Sequence, residues 1–223
     1  MPTAAKVRFF KDPMSAATHF GGFLAAIVGL VVLIAESAHD APKLVSMAIY
    51  GATLVALFAA SSIYHFFDLG EAGNKWLRRM DHVGIFLLIA GSYVPSLVHL
   101  LEGNWRIGML VGTGVLTVLG IAFKLLWVDC PTWLSAGIYL VLGWSVLVPA
   151  HLILPQLSMV ELGWLVAGGL AYSGGAVIYV AKRPDPWPGV FGHHEVWHLF
   201  VLAGAALHFG FMVQLMDFVV PPF

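Results

Sequence analysis

Apolar stretches long enough to cross a bilayer, about 20 residues each, recur seven times along this 223-residue chain. They lie near Ser15–Ala38, Leu44–Phe67, Met80–Leu101, Ile107–Leu126, Trp133–Leu154, Leu162–Ala181 and His194–Val219. Polar residues and helix breakers collect between them. The breakers are Asp40-Ala41-Pro42, Gly70-Glu71-Ala72-Gly73-Asn74, Glu102-Gly103-Asn104, Asp129-Cys130-Pro131, Pro155-Gln156 and Pro184-Asp185-Pro186-Trp187-Pro188-Gly189. The pattern predicts an all-α integral membrane protein, one domain of seven transmembrane helices over residues 1–223. Lys6, Arg8 and Lys11 precede the first stretch as they would a signal peptide. Its apolar run exceeds the roughly 7–15 residues of such a segment, so it reads as a helix. Pro95 and Pro149 fall inside spans and are expected to kink them, which neighbouring helices can accommodate. Gly21-Gly22, Gly108-x-x-x-Gly112, Gly168-Gly169 and Gly174-Gly175 suggest close helix packing. Trp76, Trp105, Trp133 and Trp164, near span ends, suggest an aromatic belt.

Composition sharpens the class. Hydrophobic residues make up 60% of the chain and charged residues 10%, against about one quarter charged in soluble domains. A formal charge of −1 and no basic patch argue against nucleic acid as a partner. Cys130 is the only cysteine, which excludes an internal disulfide and any paired-cysteine metal or redox motif. Basic residues are distributed unevenly over the connections. Lys6, Arg8, Lys11, Lys75, Arg78, Arg79, Lys124, Lys182 and Arg183 fall on one side, and only Lys43 and Arg106 on the other. This asymmetry predicts a cytoplasmic N-terminus and, after seven crossings, a C-terminus outside.

Orientation gives each polar residue a depth. Ser15 and His19 begin the first span, Ser61 and His65 end the second, Asp81 and His82 begin the third, and His194 and His198 begin the seventh. At 1.5 Å per residue these fall in one layer, about 5–10 Å inside the cytoplasmic interface. Ionisable groups in hydrocarbon are expensive unless paired or bound to something. Three neutral imidazoles with an open position make a catalytic zinc site, and a nearby carboxylate can hold or deprotonate the bound water. The candidate ligands are therefore His65, His194 and His198, with Asp81 acting on the water. Ser61, four residues before His65, shares its face and can position a carbonyl; Ser15 and His19 repeat that spacing on the first span as supporting or substrate-facing residues. His39, His82, His99, His151 and His193 read as interfacial or packed imidazoles. His208 is about 15 Å further along the axis than His198, too far to bind the same ion. His194-Glu195-Val196-Trp197-His198 contains the zincin letters, but no third ligand follows at metzincin spacing. By depth Asp81 is the better base, which leaves Glu195 without a required role. A bis-histidine haem site uses ligands on facing helices, whereas a four-residue spacing suits one small ion.

At these same residues the chain resembles a known family. Ser15-Ala16-Ala17-Thr18-His19-Phe20-Gly21, Ser61-Ser62-Ile63-Tyr64-His65, Arg78-Arg79-Met80-Asp81-His82-Val83-Gly84 and His194-Glu195-Val196-Trp197-His198-Leu199-Phe200 are similar to motifs of the hemolysin III-like bacterial branch of the progestin and adipoQ receptor family, which is related to alkaline ceramidases. The resemblance implies seven helices with the N-terminus inside. It also implies Zn2+ held by His65, His194 and His198, with Asp81 acting through water and Ser61 beside it. The activity it implies is a zinc-dependent hydrolase of lipid amides or esters in the bacterial inner membrane, with a membrane lipid or acyl chain as ligand and a role in lipid homeostasis. Relatives described as receptors or cytolysins leave two alternatives, a non-enzymatic lipid sensor and a pore.

Overall fold

The structure, a computed structural model, describes residues 11–221. Lys6 and Arg8, which entered the charge argument, lie outside the described residues. Eight α-helices follow in order among those described: α1 (Pro13–Ser37), α2 (Ala41–Phe66), α3 (Gly70–Leu100), α4 (Gly103–Leu126), α5 (Thr132–Gly143), α6 (Ala150–Ile153), α7 (Met159–Ala181) and α8 (His193–Leu215). Six of them are long and apolar enough to cross a membrane alone. The short helices α5 and α6, with the 3-10 turns that follow each, form a pair bent by 42° that makes a seventh crossing when taken as one span.

Local chemistry sets the helix ends. α2 starts where Asp40 accepts the Lys43 N–H, with Pro42 in the first turn, where a missing N–H costs nothing. α7 starts with a capping box in which Ser158 and Glu161 satisfy each other's backbone N–H groups. α3 starts ten residues before its apolar stretch, so Gly70–Asn74, expected as a loop, is its first turn and more. Asp68 accepts from the Gly70 N–H and the Asn74 side chain, and Asn74 accepts the Leu69 N–H, which together fasten that helix start.

α1 packs on α2, α2 on α3, α3 on α4, α5 on α7 and α7 on α8, and the ring closes where α8 meets α1. α3 also touches α5 and α8, and 61% of its apolar window is buried against 11% for α7, so α3 is the central helix. The outward faces of α1, α4 and α7 expose Val28, Val31, Val111, Val118, Leu119 and Val177, as a lipid-facing surface would. Pro95 lies inside α3, which runs on through it as a single helix. Pro149 lies where its span is interrupted, and Tyr93 of α3 ties down the 3-10 turn just before it. The Tyr93 hydroxyl lies 2.9 and 2.7 Å from the Leu142 and Gly143 carbonyls and accepts from the Val146 N–H and the Ser145 hydroxyl.

Glycine packing is confirmed only in part. A Cβ at Gly168 would collide with His208, and one at Gly22 with Leu202 and Phe58. Among the described residues nothing lies within 4 Å of that position at Gly21, Gly108 or Gly112, so the Gly108/Gly112 pair packs against none of them.

Candidate metal centre

The bundle end where α1 and α8 begin and α2 finishes gathers the histidines. His65 comes from the last turn of α2, and His194 and His198 from consecutive turns of α8. Their ligand atoms lie within 4.8 Å of one another. The Nε2 atoms of His65 and His194 are 3.3 Å apart. Two nitrogens held at about 2.0–2.1 Å by one tetrahedral ion would stand about 3.3 Å from each other. His198 is completely buried, with the Ser15 backbone nearby, and among the described residues neither of its ring nitrogens has a well-formed hydrogen bond. A buried polar group without a partner is costly and rare. A metal ion accepting a lone pair would relieve that cost, so the donor set fits a divalent ion with a preference for imidazole.

A second ring of residues braces these three. Asp12, just before α1, places Oδ2 3.0 Å from His65 Nδ1. The His65 ring N–H holds the Asp12 carboxyl below the usual carboxylate range. His19 of α1 bonds the Ser61 hydroxyl through Nδ1 at 2.8 Å and stacks on His198, with ring centroids 3.6 Å apart and planes 13° from parallel. Ser61 in turn lies against the buried Asp81 carboxyl, which also faces His65. Asp81 is outside the three-histidine group itself. Ser15 donates to Glu195 Oε1 at 2.8 Å, while Glu195 Oε2 accepts the Gly192 N–H at 2.8 Å. Glu195 thus has a structural role that sequence reasoning denied it: it caps α8 and ties that cap to α1. Asp12 was not singled out by sequence reasoning, although its place before Pro13 marks a helix start.

The other histidines divide. His82 bonds the Tyr139 hydroxyl, and His99 is buried, bonded to the Leu215 carbonyl rather than exposed at an interface. His39 and His151 are exposed, and His193 is half-buried at the α8 start. His208 bonds the Gly204 carbonyl of its own helix and lines a cavity of about 230 Å³. That cavity lies among α3, α5, α7 and α8, with His82, Tyr139, Tyr179 and Trp197 along its wall. None of His65, His194, His198 and Asp81 lines it; the Trp197 ring, 5.0 and 5.1 Å from those of His194 and His198, joins the two regions. Two basic residues used to infer orientation are buried in structural roles. Lys124 bonds Cys130 and Ser135, and Arg106 donates to the Leu101 and Pro221 carbonyls.

Comparison with known proteins agrees with this architecture. Residues 7–209 match the model of a family described as haemolysin-III related. The "Hemolysin-3 homolog" of Bacillus subtilis (strain 168) is 34% identical over 197 residues, covering 87% of this chain and 89% of the relative. "Hemolysin-3" of Bacillus cereus is 31% identical over 207 residues, covering 91% and 90%. The "Adiponectin receptor protein" of Drosophila melanogaster is 31% identical over 166 residues, 65% of this chain and 35% of that longer protein. With its helices, its histidine cluster and these relatives in agreement, the chain belongs to the haemolysin-III related family, a hemolysin III-like branch of the progestin and adipoQ receptor proteins.

Proposed function

We propose that the protein is a zinc-dependent hydrolase of lipid amides or esters in the bacterial inner membrane, with its metal site near the cytoplasmic face. The observation that carries this reading is the cluster of His65, His194 and His198, the last without a well-formed hydrogen bond among the described residues, beside an acid and a serine. The excess of basic residues in the N-terminal segment and alternate connections supports a cytoplasmic N-terminus. Apolar helices in a protein with bacterial relatives support the inner membrane.

Zinc bound there would polarise a scissile carbonyl and lower the pKa of a water to about 7. The chain's own residues supply the rest. Asp81, buried beside Ser61 and His65, takes a proton on its carboxylate and returns it to the leaving nitrogen or oxygen. With His19 donating through Nδ1, Ser61 keeps its O–H for Asp81 or for a substrate carbonyl. The apolar cavity takes the acyl chain, and Trp197 stands at the passage to the histidines.

Purified wild type in lipid nanodiscs, given ceramide, acyl-amide and acyl-ester substrates, should release fatty acid. Asp81→Asn should keep its zinc and lose about 10²–10⁴-fold in rate. Zinc-loaded wild type that cleaves none of them, or Asp81→Asn that cleaves as well, defeats the catalytic reading. The relative named as an adiponectin receptor favours a second reading, a lipid sensor whose metal is structural. In that case cells carrying Asp81→Asn would keep a wild-type lipid composition.

A further inference from the structure

One carboxylate at the site has no part in the chemistry above. The backbone N–H of Asp12 donates to the His65 carbonyl at 3.0 Å, and that of Lys11 to the Phe66 carbonyl at 3.4 Å. The Lys11 ammonium lies 3.4 Å from the centre of the Tyr64 ring and bonds the Tyr64 carbonyl. The two residues before α1 are thereby fastened to the last turn of α2. The Asp12 side chain then doubles back onto the same residue that its backbone holds, with Oδ2 3.0 Å from His65 Nδ1. An ionised carboxylate only accepts hydrogen bonds, so Nδ1 carries the proton and Nε2 the lone pair. It is Nε2 that lies 3.3 Å from His194 Nε2.

We propose that Asp12 is a positioning residue of the metal site, holding His65 in the tautomer and ring orientation that aim its Nε2 lone pair at the ion. The proposal rests on the metal-site reading above. Carboxylates that orient a ligating imidazole raise its basicity, and their loss costs about 10–100-fold in metal affinity. Asp12 differs from the residues it serves in exposure. Its side chain is 43% exposed and that of His65 2% exposed, so truncating Asp12 opens no internal cavity and the fold should survive. His198, which stacks on His19, has no comparable carboxylate, so Asp12 acts on His65 alone.

The test is zinc affinity of the full-length protein in nanodiscs, by competition with a chelator, together with the visible spectrum of the cobalt(II) form. Asp12→Ala should bind zinc 10–100-fold more weakly and shift the cobalt bands. Asp12→Asn, which can still accept from Nδ1, should fall between Asp12→Ala and wild type. Lys11→Ala loosens the same chain segment without touching Nδ1, and should match wild type in both readouts. Equal affinity and spectrum for Asp12→Ala and wild type would overturn the proposal while leaving the metal site intact. So would a loss in Lys11→Ala as large as in Asp12→Ala. A wild type that binds no zinc would overturn the metal-site reading, and this inference with it.

Discussion

His198 is the most constrained side chain at the site end of the bundle: buried, stacked under His19, and, among the described residues, without a well-formed hydrogen bond on either nitrogen. Its neighbours are all tied, His65 to Asp12, His19 to Ser61 and Glu195 to Ser15. His65 is tied through Nδ1 alone, which leaves its Nε2 toward His194. The letters around Glu195 belong to a protease motif, yet both its oxygens accept bonds that fix the start of α8. Glu195→Gln should therefore keep zinc and hydrolytic activity, with a stability loss of about 1 kcal/mol from the weakened cap. Activity assays beside thermal unfolding check this; loss of activity with zinc retained would restore a chemical role to Glu195. Asp12 escaped sequence reasoning because its role depends on a contact 53 residues away, which depth along the chain does not encode.

Among the elements, the broken fifth crossing and the glycine faces hold the clearest tests. Tyr93 holds the 3-10 turn before Pro149, with a hydroxyl among Leu142, Gly143, Ser145 and Val146. Tyr93→Phe should destabilise the protein by about 1–3 kcal/mol, since it strips a buried N–H and carbonyls of their partner. Gly168→Ala should cost about 1–3 kcal/mol by forcing His208 aside, while Gly112→Ala should leave monomer stability unchanged, having open space around it. Unfolding in detergent separates the two. Apolar run length in the sequence located the six long apolar helices and the bent pair α5–α6, because about 20 residues must be greasy to span a bilayer. It misplaced the start of α3, because polar residues outside the membrane can still be helical when a cap such as Asp68 is present. Pro95 stays within a continuous α3, as neighbouring helices on several sides allow.

For the whole molecule, the folding problem and the site are one arrangement. α1 is clasped by α2 and α8, and its first turns carry the braces for ligands on both. Periodicity and the shared depth of the histidines made this layer legible in the sequence, since ionisable groups are rarely left in hydrocarbon without purpose. The cavity was not legible, because its wall is assembled from several helices whose rotations no single stretch reveals. Its separation from the ligands by Trp197 is likewise a property of packing. The account as a whole stands on three imidazoles from two distant parts of the chain holding one ion. Metal analysis of purified wild type beside His65→Ala tests that most directly. One zinc per wild-type chain and almost none in a folded His65→Ala protein is the expected result. A metal-free wild type, or a folded His65→Ala protein that retains its zinc, would contradict it.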